Sequence, residues 1–315
     1  MKHYLFFVCN LIYLTAISQQ LPNLSLYREY QSYLNPAALT YDYFRFDRNV
    51  QFGVSHRSQW VNFDKGSPAT NFIHGTYIGD QLNTKLIIGG NLLTDKAGPI
   101  HHYGLNGKVG VMFSNDPLYG GISAALTIGY KITTLDQSEL KTSDGTNASQ
   151  FIGENNTNGT PDIGIGVYYH QRLDNEDNFY TGLSMAQLLS INSINKENKY
   201  SIKYIPHYYF VGGYIKYLND DAFLETTSWV KYVQGSSLGI DLNLKYQMDQ
   251  SFWIGAGVSK SKSIRFEVGF VLGENIGLDN QTRIGYSYED GFNEFANIFG
   301  KTHEISINYA FDSRR

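Results

Sequence analysis

Apolar and polar residues take turns along most of this chain, one by one, and that period of two decides what it can fold into. In Leu238 to Gln247 the set Leu238, Ile240, Leu242, Leu244 and Tyr246 alternates with Gly239, Asp241, Asn243, Lys245 and Gln247. Ile264, Phe266, Val268, Phe270 and Leu272 alternate with Arg265, Glu267, Gly269 and Val271 in the same way. So do Ile122, Leu126, Ile128, Tyr130 and Ile132 against Ser123, Thr127, Gly129 and Lys131, and Ile305, Ile307, Tyr309 and Phe311 against Glu304, Ser306, Asn308 and Ala310. Successive side chains of a strand point to opposite faces, so each segment has one greasy face and one wet face. The three-and-four spacing of a helix fits none of these segments.

Segments of this kind number about fourteen, each of roughly ten residues. They begin near residues 50, 71, 85, 103, 118, 162, 178, 206, 222, 236, 251, 263, 281 and 302, and Ala222 to Gln234 is the least regular. An even count returns both chain ends to one side, as in single-chain outer-membrane barrels. Connector lengths agree. Every second connector is a short turn: Gly79 to Asn83, Ser114 to Pro117, Leu173 to Asp177, Asn219 to Asp221, Met248 to Gln250, and the longer Gly273 to Asn280. The others include 61–69, 94–101, 133–161, 188–205 and 289–301, with short ones near Gln234 and Ser261. Long extracellular loops alternating with short periplasmic turns give this asymmetry.

The first residues point to export. Lys2 precedes a mostly apolar Tyr4 to Leu14, and Thr15-Ala16-Ile17-Ser18 supplies small residues for cleavage, so 1–18 is predicted to be a signal peptide. The apolar stretch is interrupted at Cys9-Asn10 and falls short of the ~20 residues a spanning helix needs. Cys9 is the one cysteine, so after cleavage no disulfide supports the fold. Aromatics make up 15% of the chain, with 25 Tyr and 19 Phe, and at that density they must be buried in protein or in lipid. A mean hydropathy of −0.31 is compatible with lipid, because half of each barrel strand faces a polar lumen. A soluble two-sheet protein also has alternating strands, but shorter ones. It does not account for the aromatics ending the apolar sets, Trp60, Tyr130, Tyr217, Tyr246 and Phe311, which suit membrane-interface girdles. The expected fold is therefore all-β: a transmembrane antiparallel β-barrel of about 14 strands over 50–315, in the bacterial outer membrane. A segment 19–49 precedes it, placed either in the periplasm or in the lumen as a plug.

In such a barrel Arg57, Lys108, Lys131, Asp241, Lys245, Arg265, Glu267, Arg283 and Glu304 point inward. Both signs are present, so cross-strand ion pairs around a wet or partly plugged lumen are expected. They serve either a selective pore or the rigidity of the wall. The formal net charge of −4 offers no basic field for nucleic acid. His101-His102 point apart on a strand and make no metal pair, and Asp174, Glu176 and Asn178 lack the glycine and distal glutamate of a calcium loop. No nucleophile elbow or phosphate loop occurs. Ser306 lies three residues from His303, on the opposite face of its strand. No enzyme, cofactor or metal is expected.

The motifs Tyr33-Leu34-Asn35-Pro36-Ala37, Arg57-Ser58-Gln59-Trp60, Ser67-Pro68-Ala69-Thr70, Thr94-Asp95-Lys96-Ala97-Gly98-Pro99 and Thr302-His303-Glu304-Ile305-Ser306, in that order, resemble the PorP/SprF family of Bacteroidota type IX secretion. The family's Gln-Phe-Ser-Gln-Tyr type of mature start is replaced here by Leu24 to Gln31. The strand His303 to Phe311 resembles the C-terminal insertion signal of outer-membrane barrels, although Asp312-Ser313-Arg314-Arg315 follows its aromatic. The resemblance implies a non-catalytic outer-membrane barrel in gliding, or in attaching or exporting large surface adhesins with C-terminal sorting domains. Its implied partners are such an adhesin or its sorting domain, periplasmic type IX components, and lipid. A porin-like diffusion channel for small solutes is the alternative. Candidate partner-binding residues are Trp60, Asp95, Lys96, Gly98, Pro99, Asn35 and Pro36. Trp60 reads as an interface anchor or a binding hot spot, and Asp95-Lys96 as a loop brace or a partner contact.

Overall fold

The computed structural model describes residues 24–61, 66–81, 84–116, 119–136, 156–174, 176–189, 192–194, 201–219, 221–248, 251–292 and 300–314. The segment 1–18, expected to be a signal peptide, lies outside these residues.

Alternation becomes a closed wall. Strands β1 (Val50–Ser58), β2 (Ala69–Gln81), β3 (Thr84–Ala97), β4 (Ile100–Asp116), β5 (Gly120–Leu135), β6 (Asn156–Arg172) and β7 (Asn178–Ala186) run up and down in sequence order. A small hairpin, β8 (Asn192–Ile194) with β9 (Ser201–Lys203), stands outside the wall. Strands β10 (His207–Asn219), β11 (Ala222–Val233), β12 (Gly239–Met248), β13 (Phe252–Ser259), β14 (Ser263–Leu272), β15 (Gln281–Gly291) and β16 (Thr302–Phe311) complete it. All fourteen wall strands pair antiparallel, and β1 closes on β16 from Val50↔Phe311 to Ser58↔His303. Closure leaves no open edge, the condition for crossing lipid with strands.

Each pleat sorts its residues as the sequence indicates. Phe52, Val54, Leu105, Ile128, Leu183, Leu242, Phe266 and Ile305 are exposed on the outer surface. An apolar belt of this extent is stable only against lipid. Inside, Arg57, Lys108, Lys131, Asp241, Lys245, Arg265, Glu267, Arg283 and Glu304 are all buried.

Two expectations need correction. The stretch 94–101 is not a loop: β3 and β4 stay paired to Ala97↔Ile100, so Asp95, Lys96 and Ala97 are strand residues and the connector is Gly98-Pro99 alone. The hairpin continues because the backbone groups keep finding ladder partners as the strands rise. Tyr217 does not join the outer aromatics. Tyr217 shares the inward parity of Tyr209, Val211 and Ile215 on β10, and its ring packs against Phe223 inside, with its hydroxyl accepting from Asn178 Nδ2 at 3.2 Å.

Candidate functional site: a plugged lumen and an outer rim

Residues 24–49 fill the lumen. Leu24, Leu26, Tyr27, Tyr30, Leu34, Ala37, Ala38, Leu39, Tyr41 and Tyr43 are all buried inside the wall. The segment enters beside the outer ends of β15, β16 and β1, where the Ser25 and Leu26 amides donate to the two carboxylate oxygens of Glu304 at 2.6 and 3.3 Å. It leaves at the opposite end, where Asn49 and Ser313 exchange hydrogen bonds and Arg314 pairs with Asp47 at 2.8 Å. The residues after the last aromatic thus clasp the exit of the plug.

Local sequence explains its path. Asn35 is extended (φ −133°, ψ 109°), as the following Pro36 requires, and it ends the single helical turn α1 (Gln31–Leu34). Thr40 caps α2 (Tyr41–Phe46) by accepting from the Tyr43 amide, and Asp47 closes that helix in the left-handed region. Between the helices Asn35 acts as a clamp. Its Nδ2 donates to the Val167 and Leu183 carbonyls at 2.9 and 3.3 Å, and its Oδ1 accepts from the Ala37 amide at 3.0 Å. This approach needs a wall without side chains: a Cβ on Gly166 would overlap Asn35 Oδ1, and one on Gly182 would stand 2.6 Å from Nδ2. Ser184 and Ser123 add donors to the Leu34 and Ala37 carbonyls at 2.6 and 2.7 Å.

Charge holds the other side. Arg28 meets Glu225 at 2.6 Å, and Lys245 takes the second oxygen of the same carboxylate at 2.9 Å. Glu29 receives both Nε and an amino group of Arg283, at 3.2 and 2.8 Å. The two guanidinium groups lie over the Tyr41 ring at 4.9 and 4.1 Å, and Tyr41 donates to Gln247 at 2.7 Å. Such buried ions are tolerable because each is paired with an opposite charge and the cations lie over the Tyr41 ring. Burial pulls the Glu29 carboxyl upward, but Arg283, with Lys245 and Arg28 near it, outweighs burial and keeps it below its ordinary value. Asp42 has weaker support, one hydrogen bond from Gln51 at 3.0 Å, and burial pushes it up to about 7 against the pull of Arg283.

The seven candidate residues separate into two places. Asn35 and Pro36 sit in the lumen, as described. Trp60, Asp95, Lys96, Gly98 and Pro99 form one corner of the outer rim, where the Gly98 amide donates to Gly66, Ser67 Oγ to the Trp60 carbonyl, and Thr70 Oγ1 to Asp95. Both Trp60 (φ 59°) and Gly98 (φ 57°) are left-handed, so the corner turns sharply. Asp95 is braced within the wall by Thr70. His303 meets the Tyr286 hydroxyl at 2.6 Å while Ser306 is buried inside, so the two face opposite sides of β16. Arg28, Glu29 and Glu225 were missing from the candidates. An Arg-Glu pair within the aromatic stretch Leu24 to Tyr33 was the available signal, since charges there need opposite charges around them.

A model of the family described as type IX secretion system membrane protein PorP/SprF matches residues 16–309. The chain belongs to the PorP/SprF family. It is a type IX secretion membrane protein with an outer-membrane barrel fold. No curated protein matches it. Among solved structures it is similar to the CymD monoaromatic hydrocarbon channel, with TM-score 0.54 and 9% identity over 85% of this chain and 90% of that one. A FadL homologue from Pseudomonas aeruginosa gives TM-score 0.51 and 8% identity, over 90% of this chain and 94% of that one. At these identities the likeness concerns the barrel fold alone. The family is described as one of secretion-system membrane proteins.

Proposed function

We propose that this PorP/SprF protein is a non-catalytic outer-membrane anchor that attaches, or helps export, large secreted adhesins carrying C-terminal sorting domains, in gliding or surface attachment. The observation that carries this reading is the filled lumen. A barrel whose interior is occupied by its own residues 24–49, tied down through Glu225, Arg283 and Glu304, is built as a fixed body in the membrane. Family membership supplies the apparatus it serves. In this reading the rim corner of Trp60, Asp95, Lys96, Gly98 and Pro99 contacts the cargo on the outside. The plug exit with the Arg314 clasp faces periplasmic components of the same apparatus.

Deleting the gene and fractionating the cells tests it. Adhesin should leave the cell surface and appear in the medium or be retained inside. Unchanged cell-bound adhesin, with none released, would overturn the proposal. The diffusion-channel alternative predicts steady conductance of the purified barrel in planar bilayers, whereas an anchor with its plug seated stays closed.

A further inference from the structure

Across the luminal face of the tall strands one register row reads Asn91, Asn106, Gly129 and Asp162, on β3, β4, β5 and β6 in turn. Asn106 Nδ2 donates to Asn91 Oδ1 at 3.2 Å, which turns Asn106 Oδ1 the other way, onto Gly129, where a Cβ would overlap it. Asn106 is only 8% exposed, and this oxygen has no hydrogen-bond partner. Beyond Gly129 the Asp162 side chain is half-buried, and among the described residues no hydrogen bond or ion pair engages its carboxylate. The side chain missing at Gly129 thus leaves two acceptors flanking it, and neither receives a donor. Acceptors left this way inside a protein call for a donor from outside the chain, and a carboxylate among them favours a charged one.

The row borders a recess. An empty space of about 480 Å³, counted with the solvent at its mouth, lies between this wall and the plug, and Asn91, Asn106 and Asp162 line it. Among the described residues Asp162 is its one charged side chain. Leu34 and Pro36 of the plug and Ala186 of β7 give it an apolar side. Tyr33 and Tyr209 add aromatic rings and phenol oxygens, both close enough to Asp162 to sense its charge. Carboxylate, amide oxygen and aromatic rings together suit a cation. Lys131 borders Asp162 from another side, in an adjoining space with Gln187 and Tyr204, and its ammonium lies over the Tyr204 ring at 5.6 Å. It does not line the recess.

We propose that this recess is a binding site for a primary ammonium on an apolar body: the ammonium meets Asp162 and Asn106 Oδ1 beside the rings of Tyr33 and Tyr209, and the body lies on Leu34, Pro36 and Ala186. A free amine and a lysine side chain of a polypeptide share that chemistry. The site stands whether or not the barrel anchors adhesins.

The test uses the full-length protein in nonionic detergent and ligand-observed NMR titrations, with detergent alone as the blank. Its probes are phenethylamine, 2-phenylethanol, 3-phenylpropionate, and an apolar hexapeptide capped at both ends that carries either one lysine or norleucine in its place. Phenethylamine should bind at least about tenfold more tightly than the alcohol, the order of one charge-assisted contact, and 3-phenylpropionate no better than the alcohol. Asp162→Asn should erase that preference and Asp162→Glu should keep it, with heat-modifiable gel migration reporting that the barrel folds. Ala186→Phe, which narrows the recess, should weaken the amine. A lysine peptide that outbinds both its norleucine control and phenethylamine assigns the site to a polypeptide side chain, and any other peptide result assigns it to free amines. Equal binding of amine and alcohol, a preference that survives Asp162→Asn, tighter binding of 3-phenylpropionate than of the alcohol, or indifference to Ala186→Phe overturns the proposal. Should Asp162→Asn fail to fold, the wild-type amine–alcohol comparison and Ala186→Phe decide it.

Discussion

The two halves of the wall grip the plug by different physics. Strands β11 to β16 are short, 8 to 12 residues, and present Glu225, Asp241, Lys245, Arg265, Arg283, Glu289 and Glu304 to the lumen. Strands β2 to β6 are tall, 13 to 17 residues, and meet the plug with Phe72, Ile78, Ile87, Met112 and Ala125, plus neutral hydrogen bonds. A buried ion network adds little net stability over apolar packing, but it penalises misplacement heavily. The charged half therefore fixes where the plug sits. The neutral half supplies area, on strands longer than the roughly 9–11 residues needed to span lipid.

The largest effect should follow from breaking the charged half at its hub. Glu225 answers both Arg28 and Lys245 and also accepts from the Tyr180 hydroxyl. Glu225→Gln leaves two buried cations facing a neutral amide and should cost about 3–5 kcal/mol. The lost stability belongs to the seating of the plug rather than to the wall ladders. Flickering conductance should appear in planar bilayers while heat-modifiable migration stays normal. A closed, unchanged barrel would show that the ion pairs do not seat the plug.

The neutral half should give way more gently. Asn35→Ala removes two hydrogen bonds to wall carbonyls and the Oδ1 brace to the Ala37 amide, worth about 1–3 kcal/mol together. Gly166→Ala attacks the same contact from the wall, since its methyl overlaps Asn35 Oδ1. The two changes share one contact, so their effects should not add: the double variant should be destabilised by less than the sum in denaturant titration. Additive costs would separate Gly166 from the clamp.

The wall was legible in the sequence, and the plug was less so, for a physical reason. A period of two is imposed by the pleat and repeats in each strand, so the strand count, the inward charges and the even topology could be read from single residues such as Asp241 and Lys245. Even the irregular Ala222–Val233 is a wall strand, its pattern blurred by Phe223, which is buried inside next to the paired Glu225. Residues 24–49 have no such repeat. Their partners, Glu225, Glu304 and Gly166, are far away in sequence and appear only when the barrel closes around them. Of the motif residues, Asn35 and Pro36 show their role through the φ and ψ they impose, whereas Arg28 and Glu29 resemble ordinary surface charges until their surroundings are known.

Acidity gives a smaller handle on the plug itself. Asp42, held up at about 7 by burial, binds its proton more tightly in the folded protein than in an unfolded chain, where its ordinary value is 3.8. Its contribution is fully present below pH 3.8 and is lost as pH rises through about 7. The slope for one proton is at most about 1.4 kcal/mol per pH unit. Asp42→Asn should flatten this part of the stability profile and leave the plug more secure at pH 8, measured by denaturant titration across pH. A slope that persists in the variant would assign the proton to another group.

The smallest effect should come from the rim. Gly98 holds φ at 57° in the two-residue turn between the tall strands β3 and β4, with nothing within 4 Å of a Cβ placed there. Gly98→Ala therefore meets no clash and costs only the left-handed backbone preference, about 1–2 kcal/mol. That cost should fall on the outer turn, as faster local amide exchange around Ala97 to Ile100, with conductance and plug protection unchanged. If exchange in the plug rose as well, the neutral half would be coupled to the rim above it, and the division of labour between the two halves would have to be redrawn.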